Sequence, residues 1–157
     1  MANVKTKTDK WLASTITALI RKYDDMGLRA SGKYAESLTP FTEFREGGFK
    51  IGVRAAKHSL YMERGIVAQS NPSPDKAKQL YPVILQWIKD KGLGFDNSAA
   101  FRIALSIVYK GVKVPNRYNK GDVVSSVITR NRIDDLLKSV GLVLREDIKS
   151  SVIKEFK

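Results

Sequence analysis

The residues best suited to chemistry in this chain are a histidine and a serine that follow each other. His58 is the one histidine in 157 residues, and Ser59 and Tyr61 come directly after it. A serine nucleophile needs a base and an orienting group that meet in space, and adjacency along the chain does not provide that arrangement. We therefore interpret His58 as a hydrogen-bonded residue at the end of a strand, and we predict no catalytic residue.

Pairs of adjacent acidic residues are the next candidates, since paired carboxylates can hold metal ions. The pairs are Asp24-Asp25, Asp134-Asp135 and Glu146-Asp147. Neighbouring side chains on a helix point about 100° apart, so the two carboxylates of such a pair do not converge. The chain has no cysteine and one histidine, which excludes thiolate sites and multi-histidine centres. We predict helix-surface charges, with no bound metal and no cofactor.

A glycine-rich stretch resembles a phosphate-binding loop in spacing alone. Gly27, Gly32 and Lys33 fit the pattern G-x-x-x-x-G-K. Tyr34 occupies the position where that loop needs a serine or threonine for Mg²⁺, and a helix precedes the loop where a strand is required. We interpret the stretch as the end of a helix followed by a turn.

The net charge of +12 is the strongest compositional signal, with 28 lysines and arginines against 16 acidic residues. Such a surplus favours contact with polyanions or with acidic protein surfaces. The basic residues are spread from Lys5 to Lys157, whereas proteins that read a DNA sequence usually concentrate charge on one element. We expect contact with DNA or with acidic partners that does not depend on base sequence.

Hydrophobic periodicity predicts an α+β fold in a single domain over residues 1–157, with a small antiparallel sheet and hairpin packed against several helices. Phe49, Ile51 and Val53 alternate with polar residues or glycine, as in a strand buried on one face. We place Trp87 in the core. Residues 58–65 could either continue the strand or form a short helical turn, and the sequence does not decide between them. The elements expected are an N-terminal helix 9–26, a sheet region 38–62, helices 75–91 and 97–110, and a long helical C-terminal segment 122–157.

The order of these elements resembles the small head–tail joining proteins of tailed bacteriophages, a group called neck, tail-completion or minor tail proteins. The match covers most of residues 9 to 115. It rests on an amphipathic helix that leads to Ala30-Ser31-Gly32-Lys33, on a glycine-centred hairpin, and on three later motifs. These are Tyr61-Met62-Glu63-Arg64-Gly65, the Ile84–Leu93 segment that contains Trp87, and the Ala99–Lys110 helix with Gly111.

The resemblance implies a structural virion protein that is not an enzyme. Copies would form a homo-oligomeric ring at the head–tail junction or tail, assembled in the host cytoplasm and lying against portal, adaptor or tail proteins, with non-specific contact with packaged DNA and no membrane. Subunit contacts would involve Glu63, Arg64, Asn71, Pro72 and Pro74. Contacts with DNA or an adjacent ring would involve Lys113, Arg117 and Lys120.

An alternative function follows from the charge alone. A small basic nucleic-acid-binding protein would use the same scattered lysines to neutralise phosphates. That alternative predicts measurable duplex binding by the isolated protein. A small hydrolase built on His58 is a third class, and it has the least support in the sequence.

Overall fold

A computed structural model describes residues 2–46 and 48–155, with side chains described for residues 3–46 and 48–146. Six helices and two strands lie in this part of the chain, which confirms the α+β class. In chain order they are α1 (Ala2–Asp25), α2 (Lys33–Ser37), β1 (Thr39–Arg45), β2 (Gly48–Arg54), α3 (His58–Arg64), α4 (Pro74–Asp90), α5 (Asn97–Lys110) and α6 (Arg130–Glu155). None of the described helices is both long enough and apolar enough to cross a bilayer.

The chain divides into two compact units. One consists of Met1–Lys22, Leu38–Arg54 and Val124–Lys157, and the other of Tyr23–Ser37 and Ala55–Val123. We call them the hairpin unit and the helical-loop unit. The chain passes between them several times, so neither unit is one continuous segment. The single domain over residues 1–157 stays a prediction.

The hairpin unit is built around α1, α6 and the two strands. Its buried cluster contains Val4, Leu136, Val140 and Val143. Strands β1 and β2 pair antiparallel, with Phe44 opposite Phe49. Alternate residues of a strand face the same side, and the side that carries Phe49 and Ile51 packs against the cluster. The predicted alternation from Phe49 to Val53 therefore lies on a real strand.

The helical-loop unit has the α4–α5 helix pair as its core. Ala77 and Ala104 are fully buried, and such small side chains allow two helix backbones to approach closely. The Ser73 hydroxyl caps α4 by accepting a hydrogen bond from the Lys76 amide, and the Asp96 carboxylate caps α5 through the Ala99 amide. These caps explain why both helices lie within one residue of the predicted bounds.

Two predicted boundaries near the N-terminal half are wrong. Helix α1 begins at Ala2 instead of residue 9, and Thr8 lies inside the helix, where its buried hydroxyl donates to the Lys5 carbonyl. The sheet ends at Arg54, so the expected sheet region 38–62 is too long. Residues 58–62 belong to helix α3, which makes His58 the first residue of a helix and not the end of a strand.

Two further expectations fail in the C-terminal half. Trp87 is 40% exposed, because the inner face of α4 is formed by Ile84 and Ile88 and the indole lies at the edge of that face. Helix α6 begins at Arg130, later than the expected 122, where the Thr129 hydroxyl accepts a hydrogen bond from the Arg132 amide. The preceding segment forms hydrogen-bonded turns.

Candidate interaction surface

The turn that ends α3 is fixed by a glycine. Gly65 has φ 81° and ψ −166°, a backbone conformation essentially restricted to glycine, and its amide donates to the Tyr61 carbonyl at 2.9 Å. A side chain at this position would place its Cβ 2.1 Å from the Val112 carbonyl oxygen. Glycine is therefore required both for the turn and for the close approach of the segment that follows α5.

A short antiparallel bridge joins the segments that follow α3 and α5. The Ile66 amide donates to the Val112 carbonyl at 2.8 Å, and the Val112 amide donates to the Ile66 carbonyl at 2.7 Å. Gly111 lies beside this pair at φ 71°, and a Cβ there would approach the Ile66 oxygen to 2.2 Å. Two close-approach glycines therefore flank one residue pair, which we call the bridge.

The bridge leads into residues 113–121, which we call the basic loop. Its conformation depends on Asn116, whose side-chain oxygen accepts hydrogen bonds from the amides of Tyr118 at 2.8 Å and Asn119 at 2.9 Å. The Asn116 amide group also donates to the Lys113 carbonyl at 2.8 Å. Asparagine side chains stabilise turns in this way because they replace a missing main-chain partner.

Asn119 attaches the basic loop to the end of α3. Its side-chain oxygen accepts from the Gly121 amide at 2.9 Å, and its side-chain nitrogen donates to the Met62 carbonyl at 2.8 Å. Met62 directly precedes the Glu63-Arg64 pair. The turn at the end of α3 and the basic loop are thus joined at two points, the bridge and Asn119.

Two of the residues expected at subunit contacts lie beside the residues expected to contact DNA or an adjacent ring. Lys113, Arg117 and Lys120 lie on the basic loop and are exposed. Arg64 is exposed and Glu63 is half-buried, directly beside the point where Asn119 attaches the loop. The structure therefore joins the Glu63-Arg64 turn and the basic loop in one surface, which we call the interaction surface.

The Asn71–Pro74 stretch contacts its own helix instead. Asn71, Pro72 and Pro74 are exposed, and the Lys76 ammonium donates to the Asn71 carbonyl at 2.5 Å. The stretch that precedes it is held to α5, since the Gln69 amide donates to the Val108 carbonyl at 3.1 Å. This arrangement presents an exposed segment at the start of α4.

Arg117 and Tyr118 are neighbouring exposed residues of the basic loop. The Arg117 guanidinium carbon lies 4.4 Å from the centre of the Tyr118 ring, and the guanidinium also donates to the Tyr118 hydroxyl. Tyr118 is 73% exposed. A tyrosine beside an arginine at this exposure can contact a polar partner through its hydroxyl and a planar partner through its ring.

A buried tyrosine lies beneath α3. Tyr34 is 1% exposed, its ring centre is 4.6 Å from that of Tyr23 and 6.1 Å from that of His58, and its hydroxyl finds no hydrogen-bond partner in the described part of the chain. Burial raises the pKa of the Tyr34 hydroxyl, and the negative charge of Glu63 adds to the effect. The electrostatic influence of Glu63 therefore extends from the interaction surface to this core residue.

The remaining sequence candidates are not arranged for catalysis. The Ser59 hydroxyl donates to the Ala56 carbonyl at 2.7 Å, so it is committed to the start of α3 and not to His58. Asp24 binds Arg29 through two hydrogen bonds of 2.6 and 2.9 Å, and this contact lowers the pKa of Asp24. Within the described residues, no group of three or more histidine, aspartate or glutamate side chains is placed to hold a metal ion.

Sequence reasoning missed the residues that build the interaction surface. Gly111 and Asn119 act through contacts with Ile66 and Met62, which are distant in the sequence, and hydrophobic periodicity carries no information about such contacts. Asn116 acts within the basic loop itself. The one local signal was the spacing Asn116-x-x-Asn119-x-Gly121, which is typical of an asparagine-stabilised turn.

Comparison with protein-family models, with curated proteins and with solved structures finds no match for this chain.

Proposed function

We propose that this chain is a structural virion protein that forms a ring at the head–tail junction of a tailed bacteriophage. Copies assemble in the host cytoplasm and join capsid to tail around the DNA channel, against portal, adaptor or tail proteins. The chain acts by binding and catalyses no reaction. The order of its motifs over residues 9 to 115, which resembles the head–tail joining proteins, is the origin of this proposal.

The observation that carries the proposal is the attachment of the basic loop to the turn at Glu63-Arg64. The bridge and the Asn119–Met62 hydrogen bond hold two exposed segments together although they are distant in the sequence. A preformed surface loses little conformational entropy when it binds, which suits a protein that must assemble repeatedly in one geometry. Arg64 contributes an exposed charge to that surface.

A ring also needs two different patches on each copy, because a head-to-tail contact joins unlike surfaces and closes by rotation. The turn at Arg64 supplies one patch, and the exposed Asn71–Pro74 stretch supplies the other. In the proposed ring the turn of one copy contacts the Asn71–Pro74 stretch of the next copy. Glu63, half-buried beside Arg64, belongs to the same patch.

The absence of cysteine from the sequence allows a direct test of this contact. We would prepare Arg64→Cys and Asn71→Cys as separate variants and treat them with a short bismaleimide, alone and mixed. Head-to-tail contact predicts covalent dimers only in the mixture. In such a ring, position 64 of one copy lies against position 71 of the next copy, and two equivalent positions do not meet. Lys10→Cys mixed with Asn71→Cys is the matched control, because Lys10 is exposed and lies in the hairpin unit.

Two results would refute the contact. Dimers formed by one variant alone would indicate a two-fold interface instead of a ring. A mixture that links no better than the Lys10 control would mean that the two patches do not meet. Electron microscopy of the unmodified protein at high concentration then shows whether closed rings form by some other surface.

A second candidate function is a small basic nucleic-acid-binding protein, and the basic loop is the observation that favours it. Lys113, Arg117 and Lys120 are exposed on a loop of fixed conformation. The two functions differ in stoichiometry. A dedicated nucleic-acid-binding protein binds duplex tightly as a monomer or dimer, whereas a ring-forming protein needs many copies to do so.

A further inference from the structure

The segment from Lys110 to Gly121 has an unusual charge composition. It carries four basic residues, Lys110, Lys113, Arg117 and Lys120, and no acidic residue. All four are exposed, and no carboxylate among the described residues forms an ion pair with any of them. Some cations elsewhere, such as Arg29 and Arg54, do have a carboxylate within 4 Å; what distinguishes this segment is four exposed cations within twelve residues and no acidic residue among them. The positive charge of this segment is thus available to an external anion.

The charges are also held on a fixed backbone. The side chains of Asn116 and Asn119 make five hydrogen bonds to main-chain groups, and one of these fixes the loop to Met62. Gly121 is buried at the end of the loop, where a Cβ would approach a Val114 methyl carbon to 2.9 Å. Binding therefore costs mainly the ordering of the four basic side chains and not of the loop itself.

Arg117 and Tyr118 add a second type of donor. The guanidinium lies over the tyrosine ring, which restricts its orientation, and the phenol hydroxyl is beside it. Arginine and tyrosine side chains both donate hydrogen bonds to phosphate oxygens in protein–DNA contacts. A duplex presents a continuous line of phosphates, and a segment with four exposed cations and no acidic residue suits such a polyanion.

We propose that the Lys110–Gly121 segment binds the phosphate backbone of duplex DNA, without reading base sequence, through Lys110, Lys113, Arg117, Tyr118 and Lys120. This inference rests on the proposed function, in which the ring surrounds the DNA channel. A single copy offers at most four cations and binds with a Kd of roughly 10⁻⁴ M or weaker. A ring presents many such loops at once, which raises the apparent affinity by roughly 10² to 10⁴.

The test is an anisotropy titration of a labelled duplex of about 16 base pairs with the full chain, up to millimolar protein, at several salt concentrations. The first variant is Lys113→Gln with Arg117→Gln and Lys120→Gln. The matched control is Lys7→Gln with Lys10→Gln and Lys138→Gln, which removes the same charge from exposed positions of the hairpin unit. Circular dichroism and a thermal midpoint establish that both variants fold.

The proposal predicts a clear difference between the two variants. The loop variant should bind at least about tenfold more weakly than the control variant at 0.1 M salt. The slope of log K against log salt should also be less steep for the loop variant, by about 2.7, because three phosphate contacts are removed and each contributes about 0.9 to the slope. Tyr118→Phe should weaken binding by a smaller factor, since it removes one hydroxyl donor and no charge.

Three outcomes would overturn the proposal. Equal weakening of both variants would mean that net charge matters and the loop does not. Polyglutamate that displaces the duplex as well as unlabelled duplex does, at equal charge, would assign the loop to an acidic protein surface. Stronger binding of a single strand of the same sequence would exclude the duplex. None of these readouts depends on ring formation, which the crosslinking experiment measures separately.

Discussion

The side-chain amide of Asn119 donates a hydrogen bond of 2.8 Å to the main-chain carbonyl of Met62, although 57 residues separate them in the sequence. Met62 lies in the last turn of α3, and Asn119 lies in the basic loop beyond α5. One side chain therefore fixes the basic loop to the helix that ends in Glu63 and Arg64. The interaction surface depends on this contact and on the bridge.

Replacement of Asn119 should release the loop. Asn119→Ala removes the bond to Met62 and the bond accepted from the Gly121 amide, and it leaves the Met62 carbonyl without this partner. We expect a loss of about 1–3 kcal/mol in the free energy of unfolding, measured in urea. Asn97→Ala is the control, since Asn97 is exposed in the first turn of α5 and should change stability by less than about 0.5 kcal/mol. Equal effects at the two positions would contradict the assigned role of Asn119.

The bridge should not tolerate a side chain at Gly65. Gly65 and Gly92 both have positive φ, but a Cβ at Gly65 would lie 2.1 Å from the Val112 oxygen, while a Cβ at Gly92 meets nothing within 4 Å. Gly92→Ala should therefore lower the free energy of unfolding by about 1–2 kcal/mol, which is the cost of placing a residue other than glycine at positive φ. Gly65→Ala adds a collision with the main chain, and we expect it to cost more than about 3 kcal/mol or to prevent folding. Thermal unfolding of both variants compares them, and similar midpoints would contradict the close approach.

Arg132 joins α6 to α1 inside the hairpin unit. Its guanidinium donates to the hydroxyls of Thr15 at 3.1 Å and Ser14 at 2.6 Å, and the Trp11 indole donates to the Arg132 carbonyl at 3.0 Å. A lysine cannot reproduce the forked geometry of a guanidinium, so Arg132→Lys should lower the free energy of unfolding by about 1–2 kcal/mol. Arg130→Lys keeps the charge at an exposed position of the same helix and should have little effect. Indistinguishable urea midpoints would refute the hydrogen-bonded contact.

Tyr34 should respond to pH in a specific direction. Burial raises the pKa of its hydroxyl above the unfolded value of about 10, so its contribution to stability is complete below that pH and is lost as the pH rises through the folded pKa. Because the hydroxyl has no partner among the described residues, Tyr34→Phe should be as stable as the native chain near pH 7 and should lose less stability above pH ~10.

Urea unfolding at a series of pH values measures both effects of the Tyr34 substitution. Tyr118→Phe is the control, since it removes the same hydroxyl from an exposed position. A decrease of more than about 1 kcal/mol for Tyr34→Phe at neutral pH would mean that the hydroxyl is hydrogen-bonded after all.

Local signals were sufficient to predict the α+β class and helices α4 and α5. Ser73 and the glycines after Lys91 and Lys110 mark helix ends through local capping contacts. The predicted bounds of α4 and α5 therefore differ from the observed ones by at most one residue. The predicted start of α1 and the extension of the sheet region to residue 62 were wrong, since the local sequence at each point suits more than one structure.

The interaction surface was only partly predictable. Arg64, Lys113, Arg117 and Lys120 were chosen from charge and from the resemblance, and they do lie at the surface. Their proximity depends on Asn119 and on the bridge, which act across many residues through individual hydrogen bonds. Periodicity and composition describe average environments, so neither identifies a contact of this kind.

The solution mass of the purified protein, measured by light scattering with and without duplex DNA at near-physiological salt, tests the ring proposal most directly. At micromolar concentration the account predicts either the mass of one chain, with the duplex left free, or the mass of one closed ring. A monomer or dimer that binds the duplex stoichiometrically, and releases it as salt rises, would contradict the ring and establish the nucleic-acid-binding alternative.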